Sequence, residues 1–374
     1  MDLTVISTYR CNSRCSMCYI WQNPTVPSEE VSLKTLEKVP PGIDNLNVSG
    51  GEPTLRRDLA EIMDVLHPKA RVLEISSNGL HAEHLEPIIR KYPNIKIRFS
   101  LEGFEATNNR IRGEDDGFKV KVKGLRRLRE LGGTDLGFAA VIQDDNVYEI
   151  VRLYQFAREN GFEFSTSALH NAFQFHKADN FPYDRQRLAR EVERLITEML
   201  KTSSVKTWFR AYLNLGLIRK ILGQDRLIPC TAATDFVFID PWSDVYGCNV
   251  RPDLLMGNLA RQSWADVFSG PIAKRVRGEV AGCPQNCWMV TTARTAMRSR
   301  LAPALPKFRP LRWVATNKLR TALGLHVDFK TIDYDDVLPG HPELTRPSFL
   351  QASFKRRVQH SADPHYQQGT FFNR

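Results

Sequence analysis

Residues 3–18, LTVISTYRCNSRCSMC, join an apolar run to three closely spaced cysteines. The apolar and β-branched residues at 3–6 predict a strand, so Cys11, Cys15 and Cys18 follow its C-terminal end. Thiolates are soft ligands for zinc or for an iron–sulfur cluster. Three of them would hold three irons of a [4Fe–4S] cluster and leave the fourth iron open. The alternatives are a zinc site completed by a distant residue, or buried thiols.

The residues that follow alternate between strand and helix patterns. Strands are predicted at residues 3–6, 46–48, 72–76, 95–101, 136–142 and 162–168. Helices are predicted at residues 33–39, 59–66, 85–92, 118–131, 148–160 and 185–200. Six strand–helix units in succession indicate a parallel sheet with right-handed crossovers. The predicted fold class is therefore α/β, a partial (β/α)6 TIM-like barrel with its site at the C-terminal ends of the strands.

Composition excludes several classes of protein. The chain has 374 residues, 42% hydrophobic and 25% charged, which is ordinary for a globular protein. No stretch approaches the ~20 apolar residues of a membrane span, and the N-terminus lacks the pattern of a signal peptide. Seven cysteines, an odd number, argue against a disulfide framework and for a reducing compartment, so we expect a cytoplasmic protein.

The alternation stops near residue 223, and we expect three regions. These are a barrel at 1–223 with its core at about 1–180, a small domain at 224–290, and a basic extension at 291–374. Residues 236–248 predict a β-hairpin around the turn 241–244, and residues 264–276 predict a helix.

A second set of cysteines falls in the small domain. Two of them, Cys230 and Cys248, flank the predicted hairpin, and Cys283 and Cys287 lie on one short loop. Four thiolates can close a zinc site or fully ligate a second [4Fe–4S] cluster.

The spacing Cys-x3-Cys-x2-Cys, with Tyr19 after it and a strand before it, resembles the signature of the radical S-adenosylmethionine (SAM) superfamily. Four further segments at or after later strand ends resemble motifs of that family. They are Gly50-Gly51-Glu52-Pro53, Ser76-Ser77-Asn78-Gly79, Ser100-Leu101-Glu102-Gly103 and Arg112-Gly113. The resemblance covers about residues 1–180.

The resemblance implies a three-cysteine [4Fe–4S] cluster that binds SAM and a set of SAM-binding residues. Glu52 is expected to accept hydrogen bonds from the SAM amino group, Asn78 and Ser100 to bind ribose or carboxylate, and Arg112 to pair with a carboxylate. The full predicted set is Met17, Gly50, Gly51, Glu52, Asn78, Ser100, Glu102 and Arg112.

The resemblance also implies the chemistry. The cluster reduces SAM, and the resulting 5′-deoxyadenosyl radical abstracts hydrogen from an unactivated C–H bond. The second cysteine set resembles a Twitch domain, a shortened SPASM domain, which implies one fully ligated auxiliary [4Fe–4S] cluster with a redox role. We therefore expect an oxidoreductase that dehydrogenates a hydroxylated small molecule, such as a sugar or a lipid-linked saccharide, with a flavodoxin- or ferredoxin-type electron donor.

Other functions compete with this one. They are a peptide-modifying maturase of ribosomally made peptides, an epimerising enzyme, and a non-catalytic iron–sulfur or zinc module. A nucleic-acid modifier fits the net charge of +10, but no RNA-binding motif supports it, so no nucleic-acid partner is expected.

Oxidation at a hydroxyl-bearing carbon needs a base. His170 and His176 follow the sixth strand, and Tyr246 lies near the second cysteine set. These three are the candidate catalytic residues, although histidines are more often surface or satisfied groups.

Residues 281–327 contain eight basic and no acidic residues, interleaved with Leu, Phe and Trp. One interpretation is a basic amphipathic surface that binds anionic lipid and brings the protein to the membrane periphery. The others are RNA binding and a basic segment that packs on the fold.

Overall fold

The computed structural model describes residues 1–177, 179–298 and 304–338. Residues 299–303 and 339–374 of the predicted basic extension lie outside these ranges.

Six parallel strands form the first part of the sheet, in the order β6-β5-β4-β3-β2-β1. Their bounds are β1 Asp2–Ile6, β2 Asn45–Ser49, β3 Leu73–Ser77, β4 Lys96–Ser100, β5 Asp135–Ile142 and β6 Glu163–Ala168. The sequence predicted all six, because short apolar runs of this kind mark strands buried in a parallel sheet. The predicted α/β fold class is confirmed.

Helices follow the strands and cover the outside of the sheet. Their bounds are α1 Leu33–Leu36, α2 Leu59–Leu66, α3 Glu86–Lys91, α4 Glu105–Arg112, α5 Gly117–Glu130, α6 Ile150–Glu159, α7 Arg185–Leu200 and α8 Val205–Leu222. In α2, Leu59, Ile62, Met63 and Leu66 share one buried face at helical spacing. The polar helix α4 has no such pattern, which is why the sequence did not predict it.

The C-terminal region continues the same sheet. Strand β7, Phe236–Ile239, lies parallel to β1 with Leu3 opposite Val237. The antiparallel strands β8, Asp244–Tyr246, and β9, Leu255–Asn258, follow it. The predicted hairpin is confirmed, and the sheet crosses the predicted domain boundary at 223/224.

The predicted single helix at 264–276 is wrong. Two helices replace it, α9 Trp264–Ser269 and α10 Pro271–Ala281. Gly270 between them is extended, because the ring of Pro271 disfavours the helical conformation in the residue before it.

Two further helices are α11, Val290–Arg298, and α12, Ala304–Ala322. In α11, Arg294 and Arg298 form ion pairs with the buried carboxylate of Asp2 at 2.7 and 2.6 Å. The start of the basic stretch is therefore packed against β1. Among the residues that the structure describes, no helix combines the length and the apolar character of a membrane span.

Candidate active site

A cavity of about 350 Å³ lies inside the barrel, and it gathers residues from all six parallel strands and their loops. Its described lining includes eleven of the predicted site residues. They are Cys11, Cys15, Met17, Cys18, Gly50, Gly51, Asn78, Ser100, Glu102, Arg112 and His170. Residues far apart in the sequence therefore meet at the place where the fold predicts a site.

The loop that carries the three cysteines is fixed by hydrogen bonds to two other segments. The backbone N–H of Arg14 donates to the carbonyl of Arg112 at 2.9 Å. The amide of Asn180 donates to the carbonyl of Met17 at 2.9 Å. Burial raises the pKa of Cys18 to about 12, and the neighbouring thiols of Cys15 and Cys11 add to this shift. The three thiols therefore converge in a dry environment.

Two glycines let the loop after β2 approach the cysteine loop. A Cβ on Gly51 would lie 2.2 Å from the carbonyl oxygen of Arg10, and one on Gly50 would lie 2.5 Å from that of Thr8. The N–H of Gly51 donates to the Thr8 carbonyl at 2.7 Å. The admission of a cofactor by these glycines stays a prediction, and the structure shows that they join two loops of the site.

The predicted role of Glu52 in binding the SAM amino group stays a prediction, because its carboxylate already has partners in the protein. Its side chain is fully buried and is absent from the described cavity lining. Its carboxylate accepts hydrogen bonds from the hydroxyls of Thr54 at 2.7 Å and Ser77 at 2.8 Å, and from the backbone N–H groups of Thr54 and Asn78. Glu52 thus ties the loop after β2 to the end of β3, and its oxygens do not face the cavity.

Asn78 lines the cavity next to the cysteine loop. Its amide donates to the side-chain oxygen of Asn12 at 2.6 Å, and its own oxygen accepts from the N–H of Leu80. The side chain is therefore held in one orientation on the wall.

A buried charge network lies behind Cys15. Arg112 donates to Glu102 at 2.9 Å and to Glu114 at 3.2 Å, and Glu114 also pairs with Lys121. The second oxygen of Glu102 accepts from the N–H of Val141 at 2.7 Å. The charges of two carboxylates and two cations compensate one another, which is how buried charges are normally tolerated. Burial nevertheless raises the pKa of Glu102.

The four C-terminal cysteines also form one group. Burial raises the pKa of Cys248 to about 12, and the thiols of Cys287 and Cys230 raise it further. Cys287 in turn is affected by Cys230 and Cys283. Such mutual effects require the thiols to lie near one another.

The cavity chemistry fits a soft metal cluster with a polar organic ligand. Trp21 lines the cavity, and its buried indole N–H has no hydrogen-bond partner among the described residues. Within those same residues, no three Cys, His, Asp or Glu side chains are close enough together to hold a single metal ion.

Comparison with known proteins bears on this geometry. Residues 5–157 match the radical SAM superfamily. The chain carries a radical SAM domain. The predicted resemblance is confirmed, and the predicted cofactors, a [4Fe–4S] cluster and SAM, are those of this superfamily.

Two relatives extend beyond that domain. The antilisterial bacteriocin subtilosin biosynthesis protein AlbA of Bacillus subtilis (strain 168) is 22% identical over 72% of this chain and 59% of its own length. The mycofactocin maturase MftC of Mycolicibacterium smegmatis (strain ATCC 700084 / mc(2)155) is 26% identical over 69% of this chain and 67% of its own. This chain thus spans less than two thirds of the length of relatives such as AlbA.

A solved structure shares the fold. Streptococcus suis SuiB bound to S-adenosylmethionine superimposes with a TM-score of 0.57 at 19% identity, over 74% of this chain and 67% of that chain.

The three predicted catalytic residues occupy different surroundings. His170 lines the cavity, and its Nδ1 lies 3.1 Å from the carbonyl of Ala168. Burial lowers its pKa to about 3. A group with so low a pKa is a neutral imidazole and a weak base at neutral pH, and the role of His170 as general base stays a prediction.

His176 and Tyr246 are absent from the described cavity lining. The His176 ring packs edge-on against Tyr9 at 5.7 Å. Tyr246 stacks on Phe238 at 5.0 Å, in a buried aromatic cluster that backs Cys11. Both side chains pack against aromatic neighbours in the structure, and their catalytic roles stay predictions.

Sequence reasoning missed several polar residues of the cavity. The wall also carries Ser13, Trp21, Asn47, Ser165, Thr166, Ser167 and Arg294. The run Ser165-Thr166-Ser167 is an available signal, because three hydroxyls inside a parallel strand are unusual where burial favours apolar side chains. Arg294 carries no such signal, since it reaches the wall only because α11 packs against the barrel.

Proposed function

We propose that this radical SAM enzyme cleaves SAM reductively and oxidatively modifies a peptide or a peptide-like substrate. The observation that carries the proposal is the single cavity that contains the three N-terminal cysteines, the glycine loop, Asn78 and Arg112. Cys11, Cys15 and Cys18 would hold the cluster. When bound, the cluster and SAM together supply hydrogen-atom abstraction by one-electron chemistry.

The chain's own residues position and shield the reactants. The indole N–H of Trp21 and the amide of Asn78 offer hydrogen-bonding groups on the wall. Gly50 and Gly51 keep the wall narrow by close backbone packing. The apolar cluster behind Cys11 and Cys18 excludes water, which protects reactive species from side reactions.

The relatives favour a peptide over a saccharide. AlbA is named for the biosynthesis of a bacteriocin, MftC is named as a maturase, and SuiB has been solved with the precursor peptide SuiA. None of the relatives described above is named for a sugar or lipid substrate. We therefore place peptide modification ahead of the saccharide dehydrogenation that the sequence suggested.

The second cysteine set supports an oxidative reaction. Cys230, Cys248, Cys283 and Cys287 would fully ligate an auxiliary [4Fe–4S] cluster, which leaves no iron for direct coordination of substrate. Its role would be to take an electron from the substrate after hydrogen abstraction. A small reductant protein of the flavodoxin or ferredoxin type would reduce the first cluster.

Anaerobic reconstitution tests the proposal. The protein should bind about eight irons per chain and should release 5′-deoxyadenosine from SAM when dithionite is added. Cys15→Ala should abolish that release and leave about four irons. Cys248→Ala should also leave about four irons, yet it should still release 5′-deoxyadenosine. Wild-type protein that holds only zinc, or that releases no 5′-deoxyadenosine, contradicts the proposal.

A membrane surface is a second candidate partner, and one observation favours it. Leu311, Ala315 and Leu319 recur every four residues along α12, Leu323 follows directly after the helix at the same spacing, and all four are exposed. The three leucines are 54%, 61% and 65% exposed. We propose that this apolar stripe, with Arg312 beside it, contacts anionic lipid.

Vesicle sedimentation tests the lipid contact. Wild-type protein should sediment with vesicles of anionic phospholipid at low salt, and Leu319→Glu should reduce binding at least tenfold. Ile272→Glu, at an exposed apolar position on α10, is the matched control and should bind like wild type. Equal binding by wild type and Leu319→Glu, or no binding at all, contradicts the contact.

A further inference from the structure

A second cavity, of about 370 Å³, adjoins the first one. It lies between the C-terminal end of β6, the start of α7, the end of α8 and the loop that carries Cys287. Leu169 and His170 line both cavities, so the two are neighbours across these residues. We call this second cavity the cationic chamber, because the cations of Arg185 and Lys220 line it.

Arg185 is a buried cation on its wall. The residue is only 6% exposed, and its Nη1 donates to the carbonyl of Ile221. Its Nε–H has no hydrogen-bond partner within the described parts of the chain. No described carboxylate lies within ion-pair distance of it, whereas the equally buried Arg56, Arg98 and Arg112 each pair with a carboxylate. Burial accordingly lowers the pKa of Arg185, and the more distant Asp144 offsets this only in part.

Lys220 is the second cation. Its ammonium donates to the carbonyls of Ala168 at 3.3 Å and Leu169 at 3.1 Å. Among the residues that the structure describes, it too lacks a carboxylate within ion-pair distance. Asp225 is the acidic residue of the described lining, and it is solvent-exposed.

The rest of the lining is largely apolar. It includes Ile142, Leu188, Val250 and Met289. A cation held in such surroundings without an anion costs free energy, because its hydration is lost and no opposite charge replaces it. Two cations in one chamber add their mutual repulsion. A bound anion with an apolar body would relieve both effects.

We propose that the cationic chamber binds a carboxylate group of the substrate through Arg185 and Lys220. This inference rests on the proposed function, and it names the chemical class of the substrate: a peptide or peptide-like molecule that carries a carboxylate. The planar fork of Arg185 suits a carboxylate, which can accept two parallel hydrogen bonds. The apolar walls take the carbon chain that bears the carboxylate.

The position of the chamber indicates how binding of the carboxylate would orient the substrate. A substrate anchored there extends past His170 toward the cavity of the three N-terminal cysteines, while its anchored end lies beside Cys287. The anchor would therefore fix which carbon faces each cysteine set. Fixing a reactant in this way is a major part of enzymatic rate enhancement.

Another explanation of the two cations is that they only offset negative charge at the thiolate of Cys287, since Lys220 and Cys287 interact electrostatically. In that case the chamber would show no preference for a carboxylate ligand, and substitution of Arg185 would leave ligand binding unchanged.

Calorimetric titration of the anaerobically reconstituted full-length protein, with SAM and without reductant, separates these cases. The probes are N-acetyl-leucine, which carries a carboxylate, and its neutral amide. Wild type should bind the acid at least tenfold more tightly than the amide. Arg185→Gln should weaken binding of the acid about 10- to 100-fold, with little effect on the amide, and Arg185→Lys should restore part of the loss. Arg194→Gln, at an exposed position of the same helix, should match wild type.

Three results would overturn the inference: equal binding of acid and amide, no binding of either, or wild-type affinity in Arg185→Gln. Tighter binding of inorganic phosphate than of N-acetyl-leucine would replace the carboxylate by a phosphate and so overturn the stated class. Iron content checks that each variant is folded. If wild type releases 5′-deoxyadenosine but binds acid and amide equally, the carboxylate site in the chamber is contradicted and the proposed function stands. If wild type prefers the acid but releases no 5′-deoxyadenosine, the proposed function is contradicted.

Discussion

The guanidinium of Arg112 donates a hydrogen bond to the carboxylate of Glu102 across 2.9 Å, and both side chains are almost fully buried on the wall of the cysteine cavity. The pair is linked onward through Glu114 to Lys121, so four charges compensate one another away from water. Removing one member leaves its partners uncompensated.

We expect Arg112→Gln to lower the free energy of unfolding by about 3–5 kcal/mol, because it leaves buried carboxylates without their cation. Urea denaturation monitored by circular dichroism measures this. Arg110→Gln, on the same helix but in an exposed pair with Asp145, is the control and should change stability by less than about 0.5 kcal/mol. Similar small losses in both variants would show that the buried network contributes little.

Gly51→Ala should destabilise the loop between β2 and α2 and reduce cluster incorporation. The added Cβ would lie 2.2 Å from the backbone oxygen of Arg10, so the cysteine loop must shift. Iron content after reconstitution and the thermal midpoint report the effect. Gly278→Ala meets open space on α10 and should instead raise stability by about 0.5–1 kcal/mol. Full iron loading of Gly51→Ala would contradict the expected shift.

His170 should make the protein less stable in acid. Its pKa falls from 6.5 to about 3 on folding, so below pH 6.5 the unfolded chain binds a proton that the folded protein does not. The contribution of His170 to the free energy of unfolding is therefore present above pH 6.5. It is lost as the pH falls toward 3, at up to about 1.4 kcal/mol per pH unit.

The measurement is the free energy of unfolding of wild type minus that of His170→Gln, taken at pH 7.5, 6.5, 5.5 and 4.5. The difference should decrease steadily below pH 6.5, since glutamine does not titrate. A difference that is constant or that grows in acid would mean that His170 is protonated in the folded protein.

The cysteine loop should make the iron-free protein less stable in alkali. Burial raises the pKa of Cys18 from 9.0 to about 12 on folding, so above pH 9 the unfolded chain loses a proton that the folded chain keeps. The thermal midpoint of iron-free protein should thus fall between pH 8 and 10.5, and it should fall less in Cys18→Ala. Reconstituted protein should lack this dependence, because metal-bound cysteines are already deprotonated. Equal pH dependence in all three samples would contradict the assignment.

The sequence predicted the parallel sheet well because its six strands are short apolar runs that leave little ambiguity. It also predicted which cysteines, glycines and asparagine lie at the cavity, since motifs at consecutive strand ends must meet at one edge of a parallel sheet. It did not predict the direction of individual side chains. Glu52 turns away from the cavity because Ser77 and Asn78, from the next strand, satisfy its carboxylate.

The sequence did not predict contacts between distant elements, for a related reason. Arg185 and Lys220 lie on two helices, and their convergence beside Cys287 depends on how α7 and α8 pack. The break between α9 and α10 differs, because Gly270-Pro271 is a local signal that the helical pattern around it obscured.

Strand β7 lies beside β1, and α11 contributes Arg294 to the inner wall of the barrel. During synthesis on a ribosome, the cysteine loop emerges before these two segments. Until then the nascent barrel has an open flank beside β1. Insertion of an oxygen-sensitive cluster is therefore best timed after translation of α11. A chain that terminates before Val290 would lack α11 and would leave this side of the metal centre uncovered.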